Sequence, residues 1–581
     1  MQEAREQEER EEEITGPFDA IVIGTGISGG WAAKELCERG LKTLVLERGR
    51  MVRHVIDYPT MNMEAWDFEH RGRTTPEESK RQEKQARTGY TTNKEWSHWF
   101  VDDIKHPYTE TKRFDWMRGY HVGGRSLTWG RHSYRLGEHD FEANKKDGHG
   151  VDWPIRYKDL APWYDKVEEY IGVCGNNIGS DQVPDGKLTE PMPFNCVEED
   201  FAKRVSENMN GRVVTHARVA HITGDKTYEG RGKCQYRNRC MRGCPFGGYF
   251  SSNASTLPAA ERTGNMTLRP NSIAYEIVYD ETSKKASGVR IIDTLTKEKL
   301  FFEASIIFCC ASAIASAAIL MQSKSKRFPN GLGNDSGELG HNIMDHQLGV
   351  GAYAVVHEHQ DKYYKGRKPA GFYIPRFRNV DGETEELGFI RGYGYQGSAS
   401  RTNWKRAIRE MSYGEELKEE LVKPGPWVIG MGGFGECLPY HDNKMTLNYD
   451  KLDEWGLPTV DFDVEYKENE KRMRRDIMEQ AEAMMKAAGY TDVRPYDNRE
   501  EFYPGLGIHE MGTARMGRDP KTSVLGKYNQ VHTVPNVYVT DGACMTSSGC
   551  QNPSLTYMAI TARAANYAAD QFLKGKKSES A

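Results

Sequence analysis

The chain has 581 residues, with 79 basic and 84 acidic side chains and a net charge of −5. It is long enough for several hydrophobic cores, and its mild acidity, with no basic cluster interleaved with aromatics, excludes a nucleic-acid binder. Its eleven cysteines are odd in number and mostly isolated in apolar runs, which excludes the disulfide framework of a small secreted protein.

Residues 1–16 form a charged tail without the apolar core of a signal peptide or membrane anchor. The stretch Phe18 to Glu47 then reads strand, glycine turn, helix, strand, acid. Ala20 to Ile23 is apolar and β-branched, Gly24-Thr-Gly26-Ile-Ser-Gly29 follows, Trp31, Ala32 and Leu36 recur at helical spacing, and Thr43 to Leu46 ends at Glu47. Gly24 allows a tight turn, Gly26 lets the backbone approach a pyrophosphate at a helix N-terminus, and Gly29 lets helix and strand pack closely. Glu47 lies 23 residues after Gly24, where a carboxylate hydrogen-bonds a ribose hydroxyl. This dinucleotide signature does not separate FAD from NAD.

From 51 to 114 the chain is polar and weakly periodic, an excursion over the nucleotide domain that would cover the site as a lid. Val122-Gly123-Gly124-Arg125-Ser126-Leu-Thr128 has paired glycines flanked by small hydroxyls, suited to a backbone pressed against a flat ligand. Asp152 to Ile171 reads as a helix, and Asn253 to Ile292 as a short helix followed by strands. The uncharged run Ala304 to Gln322 divides into a strand, Ser305 to Cys310, and an alanine-rich helix, so it reads as a buried unit and not a membrane span. Gly331 to His346, rich in glycine and acids, marks where the chain leaves the first domain. From 346 to 463 short strands separated by turn signals predict a mostly antiparallel sheet, in which Tyr373, Tyr393, Tyr395 and Trp427 are either sugar-stacking aromatics or core. Glu468 to Ala488 is an amphipathic helix. After Gly505 the chain brings His509, a strand ending at Asp541-Gly542, and Asn552-Pro553 opening a last helix with proline at its first position.

One cysteine group is clustered. Cys234, Cys240 and Cys244 lie six and four residues apart and end in Cys-Pro, with glycine and arginines between. Such thiolates suit an iron–sulfur cluster; zinc, wanting four ligands, and a disulfide with one free thiol are the alternatives.

Five blocks in order resemble the glucose-methanol-choline (GMC) oxidoreductases: the Gly24 fingerprint, Val122-Gly-Gly124, Gly337-Glu-Leu-Gly340, His509 with Met511-Gly-Thr-Ala-Arg-Met, and Asp541-Gly542 with Asn552-Pro553. The resemblance implies an α/β FAD-binding Rossmann-like domain, discontinuous over 17–345 and 505–575, and an α+β substrate-binding domain over 346–504. It implies FAD held at Gly24, Gly26, Gly29, Glu47, Gly123, Gly124, Ser126, Thr128, Asp541, Gly542 and Pro553. His509 and Asn552 become the catalytic pair facing flavin N5, with His509 the general base for an alcohol proton. Some members attach FAD covalently to a histidine; the matching position here is Thr128, so the flavin is expected to be dissociable.

The cysteine spacing resembles that of the catalytic subunits of bacterial sugar dehydrogenases in this family, of the glucoside 3-dehydrogenase and FAD-dependent glucose dehydrogenase type. That implies a three-iron, four-sulfur cluster on Cys234, Cys240 and Cys244, a small partner subunit and in some cases a haem subunit, with a periplasmic location through an exported partner; a cytoplasmic enzyme is the alternative. The expected reaction is oxidation of a sugar or glycoside hydroxyl, favouring C3 of a pyranoside. Glucose C1 or another sugar or polyol oxidation is the alternative, and a redox-silent lyase on the same scaffold is the competing class.

Overall fold

The computed structural model describes residues 16–380, 384–401, 413–422 and 424–579; apart from Gly16, the charged N-terminal tail lies outside the described residues. The chain begins with the strand Phe18–Ile23, which pairs in parallel with Thr43–Leu46 on one side and Lys299–Cys309 on the other. Met266–Arg269 extends this sheet beyond Thr43–Leu46, and Val534–Val539, from the end of the chain, joins the far side of Lys299–Cys309. Both faces of such a sheet must be covered. The helices Ile27–Glu38 and Ser554–Glu579 bury alanines and Leu36 against one face, and Ile307, Val539 and Ile314 belong to the larger core on the other.

The strand ends fall in register. Ile23 lies opposite both Leu46 and Cys309, so the chain leaves three neighbouring strands at one level, at Gly24, Glu47 and Cys310. The uncharged run near 304–322 is the end of one strand and the helix Ala313–Gln322. No helix among the described residues is long and apolar enough to cross a membrane.

A second sheet of six strands is antiparallel at every pairing. Val350–Val356, Phe372–Ile374, Tyr393–Arg401, Trp427–Gly435 and Asp492–Asp497 supply five strands, and Thr215–His216, far earlier in the chain, supplies the edge. Its core lies against the helices Cys196–Asn208 and Glu468–Ala487. The helix expected from Asp152 starts instead at Tyr157, because Asp159 caps the Arg156 N–H at 2.9 Å and fixes the first turn there. Lys444–Leu452 leaves the six-stranded sheet to pair with Pro458–Asp463, which pairs with Thr109–Glu110 of the 51–114 excursion.

The glycine turn depends on backbone contact. A Cβ at Gly29 would stand 1.9 Å from the Gly24 carbonyl oxygen, and Gly24 itself has φ +97° with Cys310 O behind it. Gly29→Ala is therefore expected to destabilise the fold by about 1–3 kcal/mol, as overpacking of a close interface does, read as a lower denaturation midpoint in urea at unchanged slope.

Candidate active site

A cavity of about 800 Å³ opens where the strand ends release the chain. Gly24, Gly26, Glu47, Gly124, Ser126, Thr128, Asp541, Gly542, His509 and Asn552 all line it. At Gly26 an added Cβ would meet nothing within 4 Å, so any side chain there would enter the space a ligand needs. Gly26 is also the N-cap of Ile27–Glu38, with no side-chain cap and no acid in the first turn, leaving that helix end free for phosphate. Glu47 accepts from Thr25 N–H at 3.2 Å, from Gly49 N–H at 3.0 Å and from the Thr25 hydroxyl. Burial pushes the Glu47 carboxyl up, against these donors. Asp541 takes the Ser316 hydroxyl at 2.5 Å and the Ala543 N–H at 2.9 Å, while burial pushes it up to about 6. These residues fit a dinucleotide.

Three expected cofactor residues stand behind the wall. Gly29 packs on Gly24. Gly123 is turned away from the cavity: its N–H donates to Thr25 Oγ1 at 2.9 Å, and an added Cβ would strike Asn253 Oδ1. Pro553 precedes the helix Ser554–Glu579, where its carbonyl accepts the Tyr557 N–H at 3.0 Å. They shape the cradle and do not line it. Thr128 does line it, with its hydroxyl 3.4 Å from Arg125 O. Tyr90, Phe100 and His106, from the 51–114 excursion, form part of the wall.

His509 and Asn552 converge: Asn552 Nδ2 lies 3.5 Å from His509 Nε2. The loop bearing the histidine is held by Asp345, whose carboxylate takes N–H bonds from Gly505 at 2.7 Å, Gly507 at 3.0 Å and His509 at 3.0 Å. Burial and the nearby Glu510 push Asp345 up to about 7 against those donors. Glu510 in turn pairs with Arg125 at 2.9 Å on the cavity wall.

A hydrogen-bond chain dictates the tautomer of His509. His346 Nε2 lies 2.8 Å from Gly549 O, a pure acceptor, so Nε2 carries the proton. Burial lowers His346 to about 4, leaving its Nδ1 as a lone pair 2.8 Å from His509 Nδ1. His509 must then donate from Nδ1, and its Nε2 lone pair faces Asn552 and the cavity. Burial and then His346 hold His509 well below the usual histidine range. Gln396 donates to Asn552 Oδ1, which turns the Asn552 N–H groups toward the same point. A hydroxyl placed there meets a base and a donor together.

Strand alternation decides what the second sheet offers. Phe434 lies opposite Gly394 and Gln396 opposite Gly432, so Gln396 and Phe434 share the face that lines the cavity. Tyr393 and Tyr395 point to the other face, where Tyr395 donates to Ile477 O at 2.6 Å and Tyr393 to Asp476. Trp427 is core as well, and Tyr373 is covered by Tyr134, with ring centroids 4.0 Å apart. The sugar-stacking alternative for these four aromatics is thus replaced by core. His346, Gln396, Phe434 and Lys368 are not singled out by sequence, although His346 closes the Gly331 to His346 linker and the other three lie in the 346–463 stretch read as short strands.

All eleven cysteines are free thiols in the structure. Cys234, Cys240 and Cys244 line one small cavity together with His221, Tyr249 and Lys368. Among the described residues no three His, Cys, Asp or Glu side chains are arranged to hold a single metal ion. The loop is strapped to the excursion: Arg242 donates to Met63 O at 2.7 Å and to Glu95 at 3.1 Å, Arg237 to Met61 O at 2.6 Å, and Trp99 Nε1 to Met241 O at 3.0 Å. Arg131 lines the large cavity and donates to Cys240 O at 2.7 Å.

Residues 18–348 and 439–561 match two family models, each described as GMC oxidoreductase. The chain is 27% identical to 2-methyl-1,2-propanediol dehydrogenase of Mycolicibacterium austroafricanum, over 95% of either chain. It is 28% identical to the fructose dehydrogenase large subunit of Gluconobacter japonicus, over 94% of this chain and 97% of that one. The structure of formate oxidase from Aspergillus oryzae shares the fold, with a TM-score of 0.61 at 14% identity over 95% of this chain and 98% of that one.

With its base held neutral to low pH, the acid limb of kcat/KM is expected below pH 6.5. His346→Ala removes the acceptor that fixes the Nδ1–H tautomer of His509, so kcat/KM should fall across the pH range and not only on its acid limb. His509→Ala should lower kcat/KM by about 10²–10⁴-fold. Steady-state rates across pH with intact flavin occupancy check all three.

Proposed function

Because the chain belongs to the GMC oxidoreductase family, we propose that it is a sugar dehydrogenase whose electrons leave singly through an iron–sulfur cluster on Cys234, Cys240 and Cys244. Members of this family are FAD-dependent oxidoreductases acting on CH–OH groups, and the coarse activity of this chain is that of a sugar or alcohol oxidoreductase. The favoured substrate is a glycoside oxidised at C3 of the pyranose to the 3-keto sugar, a reading that rests on the resemblance of the cysteine spacing.

The reaction removes a proton from oxygen and a hydrogen with its electron pair from carbon. The proton passes to His509 Nε2, the one ring nitrogen of that residue left with a lone pair. Asn552 donates to the same oxygen and keeps it at the base, with Gln396 fixing the amide so that its N–H faces inward. Glu47 and the free N-terminus of Ile27–Glu38 would hold the ribose and phosphates of FAD, and Asp541 and Gly542 its ribityl region. The chemistry supplied by bound FAD is acceptance of the hydride, and that supplied by a cluster is one-electron transfer to an outside acceptor.

The observation that carries the relay is the shared wall. Lys368 lines both the large cavity and the cysteine cavity, and Arg131 bridges them through its bond to the Cys240 carbonyl. Three thiols line one cavity, one fewer than the four ligands zinc usually wants. A small partner subunit is expected beside this chain, and a haem subunit is the candidate electron acceptor.

A panel of sugars and glycosides with an artificial electron acceptor, followed by product analysis for the oxidised carbon, tests the substrate; a 3-keto product is expected, and oxidation at C1 alone overturns the C3 reading. Flavin colour that persists anaerobically while product forms overturns the dehydrogenase in favour of a lyase. Iron and sulfide analysis of anaerobically purified protein should find about three irons per chain, lost in Cys240→Ser with FAD retained; full FAD without iron sinks the cluster.

A further inference from the structure

The cysteine cavity has a fourth polar wall. His221 is 1% exposed, and both of its ring nitrogens lack a hydrogen-bond partner. It lines the same cavity as Cys234, Cys240 and Cys244. Its position is fixed by backbone. The His221 N–H donates to Val219 O at 2.8 Å, His221 bridges to Tyr249, and the next residue, Ile222, accepts the Cys234 N–H at 2.8 Å and donates to Gly248 O at 2.8 Å. The imidazole is thus built into the same backbone frame as the first cysteine.

A buried imidazole always carries at least one N–H, and a buried donor without an acceptor is costly. The described side chains around His221 do not provide that acceptor. Arg131, Arg231 and Lys368 are its charged neighbours, and all three are donors only. The acceptors on the wall of this cavity are the sulfurs of the three cysteines and the side-chain oxygens of Gln235, Tyr236, Asn238 and Tyr249, together with whatever the cysteines bind.

We propose that His221 is a positioning residue of the cysteine site, donating its ring N–H to a sulfur of the iron–sulfur group and so raising that group's reduction potential. The inference rests on the cluster reading above. A donor to sulfur stabilises the reduced, more negative state, which favours withdrawal of electrons from the flavin side.

His221→Leu keeps the volume and removes the donor; His221→Asn keeps an N–H. Redox titration followed by electron paramagnetic resonance is expected to show a lower cluster midpoint potential in His221→Leu, with iron, sulfide and FAD contents unchanged, and partial recovery in His221→Asn. In the wild-type protein, electron–nuclear double resonance should show an exchangeable proton coupled to the cluster, which needs no variant to fold. An unchanged potential in fully loaded His221→Leu, or no exchangeable proton in the wild type, overturns the inference alone. Loss of iron in His221→Leu but not in His221→Asn, with strong nitrogen coupling in the wild type, also overturns it by making His221 a ligand. Absence of iron and sulfide from the wild-type protein removes the cluster reading and this inference with it.

Discussion

The molecule is organised by a steric constraint on backbone: the Gly24 carbonyl occupies the place a Gly29 side chain would need. That contact lets the first helix lie tight against the first strand with its N-terminus aimed at the strand ends. Because Ile23, Leu46 and Cys309 finish at one level, the residues that follow them reach the same space. Val534–Val539 joins the same sheet beside Cys309 and delivers Asp541 to that space from the opposite end of the chain. A cradle made from segments hundreds of residues apart is thus fixed by the register of one sheet.

The chemistry is assembled where the second sheet closes over that cradle. His509 comes from the returning chain and is held by three N–H bonds converging on Asp345. Its partner amide is oriented by Gln396, a residue of the antiparallel sheet. Neither layer alone defines the proton acceptor. The tautomer needs the His346 relay, and the direction of the Asn552 N–H groups needs the second sheet.

What was legible in the sequence follows from where each signal is local. The glycine turn, Glu47 and the first two strands are set by neighbours within thirty residues, and the sequence periodicity describes them well. The His509 and Asn552 pair was legible through its flanking motifs. Gln396 and Phe434 were not, because the step that sends Tyr395 into the core and Gln396 into the cavity is a register relation to Trp427–Gly435, invisible in either strand alone. His221 is another such case: it lies thirteen residues before Cys234, and only the pairing around Ile222 brings it under the thiols. Gly123 reads as a ligand contact in a paired-glycine motif, yet its missing side chain makes room for Asn253. Sequence shows that a side chain is forbidden there, not which neighbour forbids it.

Gly549 and Asn552 stand three residues apart on one buried turn. The carbonyl of the first anchors His346, and through it the Nε2 lone pair of His509; the second turns its amide N–H groups toward that lone pair. Base strength and substrate orientation therefore share a single mechanical support, and a distortion of that turn detunes both at once. Changes of pocket shape that leave this turn untouched are open instead at Phe434 on the opposing sheet, which lines the cavity.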